Sequence, residues 1–264
     1  MRLDSVRLAI RPRSVLECLD LAFLVCGQHF LGLSLAMVLG ILPVYWFNGY
    51  VLQNLENPYL WMLVIGLELP LATLPITLFM GQIVFSKRFS TSQAMRAVGG
   101  SLLSYFFFQG IVRFFCLATI VLSPLVFVGM YYLNPIILLE RPMLGKVWPR
   151  LWAMNRRNLG RILGLVLIDF LVLIAGNISL SLFLRGIAAL WEDRFSWWQM
   201  MVQWLQGDGF HSGWQEQVAF WMIMSFLTVF RFITYIDCRI RREGWDVDLK
   251  IRAMAQSFSE KEVA

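Results

Sequence analysis

Charge is what this sequence has least of. Asp, Glu, Lys and Arg make up 15% of its 264 residues, against roughly 25% in a soluble domain, while 58% are hydrophobic. That scarcity excludes an ordinary water-soluble core and implies a chain whose solvent is largely lipid, with little length left for an appended soluble domain. Histidine is nearly absent too: His29 and His211 stand apart, which excludes a His-rich metal site. The four cysteines, Cys18, Cys26, Cys116 and Cys238, show no CxxC or metal-ligand spacing and read as small apolar fillers. No nucleophile–base pair, phosphate-cradling glycine loop or metal cluster is present. No catalytic residue, metal or cofactor is therefore expected. The first twenty or so residues are too polar for a cleavable signal, and no small-x-small site follows them.

What is present is apolar length. A helix needs about 20 apolar residues to cross a hydrocarbon core of about 30 Å, and six segments qualify: 21–47, 59–85, 98–122, 124–139, 159–184 and 217–236. The third and fourth are separated only by an uncharged turn, for which Ser123-Pro124 is suited. The expected fold is an all-α integral membrane protein, a single polytopic domain over 1–264. It has a cytoplasmic amphipathic N-terminus over 1–20, a membrane core over 21–238 and a cytoplasmic tail over 239–264.

The basic residues set the orientation. Nineteen of the 23 lysines and arginines fall before span one, between spans two and three, between four and five, or after span six. The opposite side holds Arg185 and Arg194 against Glu56, Glu192, Asp193, Asp208 and Glu216. Basic loops are retained in the cytoplasm, so both ends are expected on the cytoplasmic side. Three of the basic segments open alike. Arg11-Pro12-Arg13-Ser14, Arg88-Phe89-Ser90-Thr91 and Arg141-Pro142 each lead an apolar stripe into an outgoing span. The pattern predicts interfacial amphipathic helices before spans one, three and five, and three repeated units of helix plus transmembrane hairpin.

These same segments carry a family resemblance. Arg11-Pro12-Arg13-Ser14 with Glu17 and Asp20 resembles the opening of a broad group of bacterial six-span proteins. That group includes the membrane domain attached to some glycerophosphodiester phosphodiesterases. Pro135-Ile136-Ile137 through Glu140, then Trp148, Arg150, Trp152 and Met154, resembles its segment before span five. Trp148, Pro149 and Leu151 stand where that motif usually has a small residue and a Ser. The close, Tyr235, Asp237, Arg239, Arg241, Glu243, Gly244 and Asp246, is similar to an aromatic-x-Asp-x-Arg-x-Arg-x-Glu-Gly-x-Asp ending. The resemblance implies a fold and no activity, because the catalytic barrel is absent here.

The charges inside spans demand partners, since each costs at least about 2.5–3.5 kcal/mol near the bilayer centre. Matching depths predict two pairs, Glu68 with Arg113 and Asp169 with Arg231. Pro70 and Pro75 should kink span two beside Glu68. Gly99-Gly100 and Gly160-x-x-x-Gly164 suit close helix contacts. In the loop before span six, Trp191, Trp197, Trp198 and Trp204, with Trp214, predict an interfacial helix near 187–206 anchored by indoles. The mixed charges of the C-terminal tail suit local ion pairs or docking onto other cytoplasmic helices, and nucleic acid is not an expected partner. The expected partners are the lipid bilayer and another membrane protein. The leading functional reading is a non-enzymatic membrane component, a scaffold or accessory subunit of an envelope assembly. The alternatives are a transporter or permease subunit using the buried charges, and an enzyme of lipid or envelope metabolism.

Overall fold

Helices whose side chains are apolar on every face have no reason to turn a stripe toward water, and three of the long helices of this chain are of that kind. The computed structural model describes residues 12–51, 58–85, 91–156, 158–191 and 214–244, and among them every regular element is helical. Helix α1 (Val15–Gln28) starts at Ser14 in a capping box: the Ser14 hydroxyl accepts from the Glu17 N–H, and the Glu17 carboxylate accepts from the Ser14 N–H at 2.7 Å. Regularity breaks at His29, and α2 (Phe30–Val51) begins directly after it. Then come α3 (Pro58–Phe85), α4 (Thr91–Tyr105), a π-helical stretch (Phe106–Val112) and α5 (Arg113–Ala118). The second half holds α6 (Leu133–Pro135), α7 (Leu144–Asn155), α8 (Leu159–Trp191) and α9 (Trp214–Glu243).

Among the described residues, five stretches are long and apolar enough to cross a membrane: Phe30–Gly49, Met62–Phe85, Val98–Ala118, Leu159–Ala188 and Gln215–Glu243. With exposed apolar side chains such as Leu31, Trp46 and Leu103 around the outside, this is the build of a multi-pass membrane protein. Helix α9 is its axis, with 67% of its span inside the protein against 17% for α8.

The expected fourth span is a broken passage rather than one helix. It runs as a π-helical turn (Leu125–Gly129), a turn through Met130–Tyr132, the single turn α6 and a second π-helical turn (Ile136–Glu140). Pro135 can donate no backbone hydrogen bond. Irregular backbone survives at membrane depth where protein encloses it, and here Tyr132, Leu133, Ile136, Ile137 and Leu138 are almost wholly buried. The three Arg-led segments also differ from one another. The first and third lead into separate helices, α1 and α7, whereas α4, from Thr91, runs without a break into the span.

The small-residue contacts lie elsewhere than expected. A Cβ on Gly99, Gly100, Gly160 or Gly164 would meet open space. These positions are exposed, because their helix faces turn away from the bundle. The close approach is at Gly40 on α2, where a Cβ would lie 1.9 Å from the Ala72 carbonyl oxygen of α3. A backbone atom cannot rotate aside, so Gly40→Ala should destabilise by about 1–3 kcal/mol as overpacking does. Gly164→Ala, into open space, should be neutral or gain up to about 1 kcal/mol of helix propensity. Thermal unfolding of the two purified variants in one detergent checks the contrast.

Candidate functional site: a polar core and an ionic collar

Pro70 lacks an N–H, so it cannot bond the carbonyl four residues back, at Gly66. In the protein that carbonyl is taken by a side chain from another helix: Arg113 Nε donates to Gly66 O at 2.7 Å. Arg113 Nη1 also donates to Gln109 Oε1 at 3.1 Å, one turn earlier on the π-helical stretch. Gln109 Nε2 donates to Asn134 Oδ1 at 2.5 Å, and Asn134 Nδ2 approaches Thr73 Oγ1 at 3.4 Å. Thr73 donates in turn to Leu69 O at 2.8 Å, a further α3 carbonyl. A chain of neutral polar groups thus links α3, the third span and the broken passage through the bundle interior.

Asp169 of α8 and Arg231 of α9 pair as the depth match predicts, Nε to Oδ2 at 2.6 Å. The Arg231 guanidinium also lies 5.3 Å from the centre of the Tyr131 ring, within cation–π range. Two small adjoining cavities open between these groups. One of about 70 Å³ is lined by Arg113, Tyr131, Asp169 and Arg231, and the other, about 40 Å³, by Thr73, Gln109, Arg113, Asn134 and Arg231.

The other expected pair does not form. Arg113 turns two of its donors to Gly66 and Gln109 and none to Glu68, both of whose carboxylate oxygens are buried with no hydrogen-bond partner. The physical reason is Pro70: it frees a carbonyl on the helix face that meets Arg113, whereas Glu68 stands two residues on and turns away. Glu68 therefore holds no ion pair to lose. Glu68→Gln should leave the unfolding midpoint unchanged or raise it, because it removes a buried carboxyl that no cation offsets. A large loss of stability would show that an ion pair at Glu68 had been missed.

At the end of the bundle where α1 starts and α9 finishes, the charges form a collar. Asp237, fully buried, accepts from the Arg13 backbone N–H at 2.6 Å, from Arg161 of α8, and from Arg241 Nε at 3.0 Å. Arg161 and Arg241 also donate to the Arg13 carbonyl, at 3.2 and 2.5 Å. Beside it, Glu140 accepts two hydrogen bonds from Arg150, at 2.5 and 3.0 Å, and one from Tyr235 Oη at 2.6 Å, with Arg239 at 3.6 Å. Arg150 reaches on to Glu243, which Arg239 also holds at 2.6 Å. The hydrogen bonds it donates to Glu140 raise Arg150 above its ordinary value against the cost of burial, and Glu243 adds to the effect. Cys18 is wholly enclosed here. Burial, then the charge of Asp237, pushes its thiol up to about 11, so it stays protonated and inert. At Gly244 the chain turns with φ +63°, the left-handed conformation that ends helices with glycine.

The C-terminal residues Asp237, Arg239, Arg241 and Glu243, expected to make local pairs or dock onto neighbouring helices, do both in one assembly; Asp246 lies outside the described residues. So do Trp197, Trp198 and Trp204 and most of the helix expected near 187–206. The described part of that stretch continues α8 as far as Trp191. At that far end Arg185 of α8 pairs with buried Glu216 of α9. Sequence reasoning missed Gln109, Asn134, Tyr131 and Gly66. Amides inside an apolar span and the residue four before a proline were the signals available. No family model, no curated protein and no solved structure matches this chain.

Proposed function

We propose that this chain is a non-enzymatic component of a bacterial cytoplasmic membrane, a scaffold or accessory subunit of an envelope assembly. In this reading it passes six times, the broken passage being the fourth crossing, with both ends in the cytoplasm as in the six-span group it resembles. The supporting observation is how the charges are used. Glu140, Asp237 and Glu243, the acids of the collar, are each held by arginines from other elements or from their own helix, which suits fastening and leaves none of the three free as an acid or base. The test is extraction without detergent, in a polymer-bounded native bilayer. A stoichiometric membrane-protein partner is expected, and a homogeneous single chain with no partner overturns the reading. Topology is tested with a reporter fused after Ala264, active in the cytoplasm, and by labelling Asp208→Cys from outside.

The transporter reading has one observation in its favour: Asp169 and Arg231 line a cavity at membrane depth. Uptake or efflux of a solute by reconstituted vesicles, abolished by Asp169→Asn, would place it first.

A further inference from the structure

Arg113 is a partly buried charge that forms no ion pair among the described residues. A guanidinium has five N–H donors, and two of them meet Gly66 O and Gln109 Oε1. The remaining three have no protein partner among the described residues, and no carboxylate lies within ion-pair reach. Asp169, the acid lining the same cavity, is committed to Arg231, and Glu68 does not line either cavity. The space that Arg113 faces is therefore lined by two guanidiniums and one carboxylate, and it carries an excess positive charge.

That space is not closed. A groove of about 470 Å³, within the range of roughly 300–1,000 Å³ typical of small-molecule sites, runs from it toward the end of the bundle bearing Tyr59. Its walls are almost entirely apolar, including Met62, Leu63, Leu117 and Phe220. Arg113, Leu69, Phe127, Phe170, Leu173 and Met224 line both the groove and the 70 Å³ cavity, so the two adjoin and Arg113 borders each. Among the described residues, Arg113 is the only ionisable group of the groove apart from the Tyr59 phenol.

We propose that this groove binds a single-chain amphiphile with a carboxylate head, the carboxylate on Arg113 and the acyl chain along the apolar walls. A carboxylate carries the single negative charge that the cavity lacks, and it presents two oxygens to the fork of a guanidinium. A small free anion satisfies the charge but leaves the groove unexplained. The inference is independent of the scaffold reading, since a structural subunit and a transporter could each hold such a molecule.

The probe is oleate labelled at its carboxyl carbon, titrated into the whole purified chain in nanodiscs of zwitterionic lipid. A saturable shifted carboxyl resonance at about one oleate per chain, with a raised unfolding midpoint, is the expected result. Arg113→Gln should weaken binding at least about tenfold, as loss of a hydrogen bond between charged groups does. Oleyl alcohol, with the same chain and no charge, should not reproduce the effect, and neither should sodium chloride. Leu63→Trp, which fills the groove and leaves Arg113 in place, keeps the test decisive if Arg113→Gln fails to fold. It should retain the midpoint of the ligand-free protein and lose oleate. Any of three results overturns the proposal: binding unchanged in Leu63→Trp, equal stabilisation by oleyl alcohol, or a response to chloride with none to oleate.

Discussion

Asp237→Leu should cost about 3–5 kcal/mol, the loss typical when one partner of a buried ionic cluster is removed and the other is stranded. The loss is large because one carboxylate serves three elements: the chain entering α1 through the Arg13 N–H, α8 through Arg161, and its own helix through Arg241. Without it, the Arg13 N–H is left in a buried setting, and two guanidiniums converge on the Arg13 carbonyl with no negative charge between them. Denaturant unfolding of the purified variant measures the loss. Limited proteolysis adds a readout specific to the arrangement, since the segment before α1 should become cleavable while α9 stays protected. A variant within about 1 kcal/mol of the parent would show that the collar merely decorates the end of the bundle.

The second large effect is at membrane depth. Asp169→Leu and Arg231→Leu should each cost about 3–5 kcal/mol, and the double variant should recover most of it, because two apolar residues strand no charge. Recovery is expected to be incomplete, since Arg231 also packs over the Tyr131 ring, a contact worth about 0.5–2 kcal/mol. Single variants that add without coupling would mean that the pair contributes nothing to holding α8 against α9.

Not all of this was legible in the residues. The Asp169–Arg231 pair was, because helix geometry converts sequence distance from a membrane edge into depth, and opposite charges at one depth must find each other or pay desolvation alone. The same reasoning failed for Glu68 and Arg113. Depth gives no information about which way around the helix a side chain points. Pro70, visible in the sequence, opened a neutral acceptor at Gly66 that Arg113 could reach, while Glu68 could not be reached. The glycines failed for a related reason. Gly160-x-x-x-Gly164 has the spacing of a contact face, but spacing cannot tell a face that meets a helix from one that meets lipid, because both are apolar.

The sequence by itself determined that the chain is helical and built for a membrane. Long apolar runs must satisfy their own backbone in lipid, and only the helix does so within one segment. It also determined where most charges gather, since they cannot remain in hydrocarbon. The tertiary structure alone decided that residues 125–140 form a broken run of short turns, that Asp237 joins Arg13 to Arg241 across most of the chain while Glu140 gathers Arg150 and Arg239, and that Arg113 faces a groove with donors to spare. Each of these depends on which helix stands beside which, and lipid-facing and protein-facing residues are equally apolar, so the neighbours are not written in the pattern.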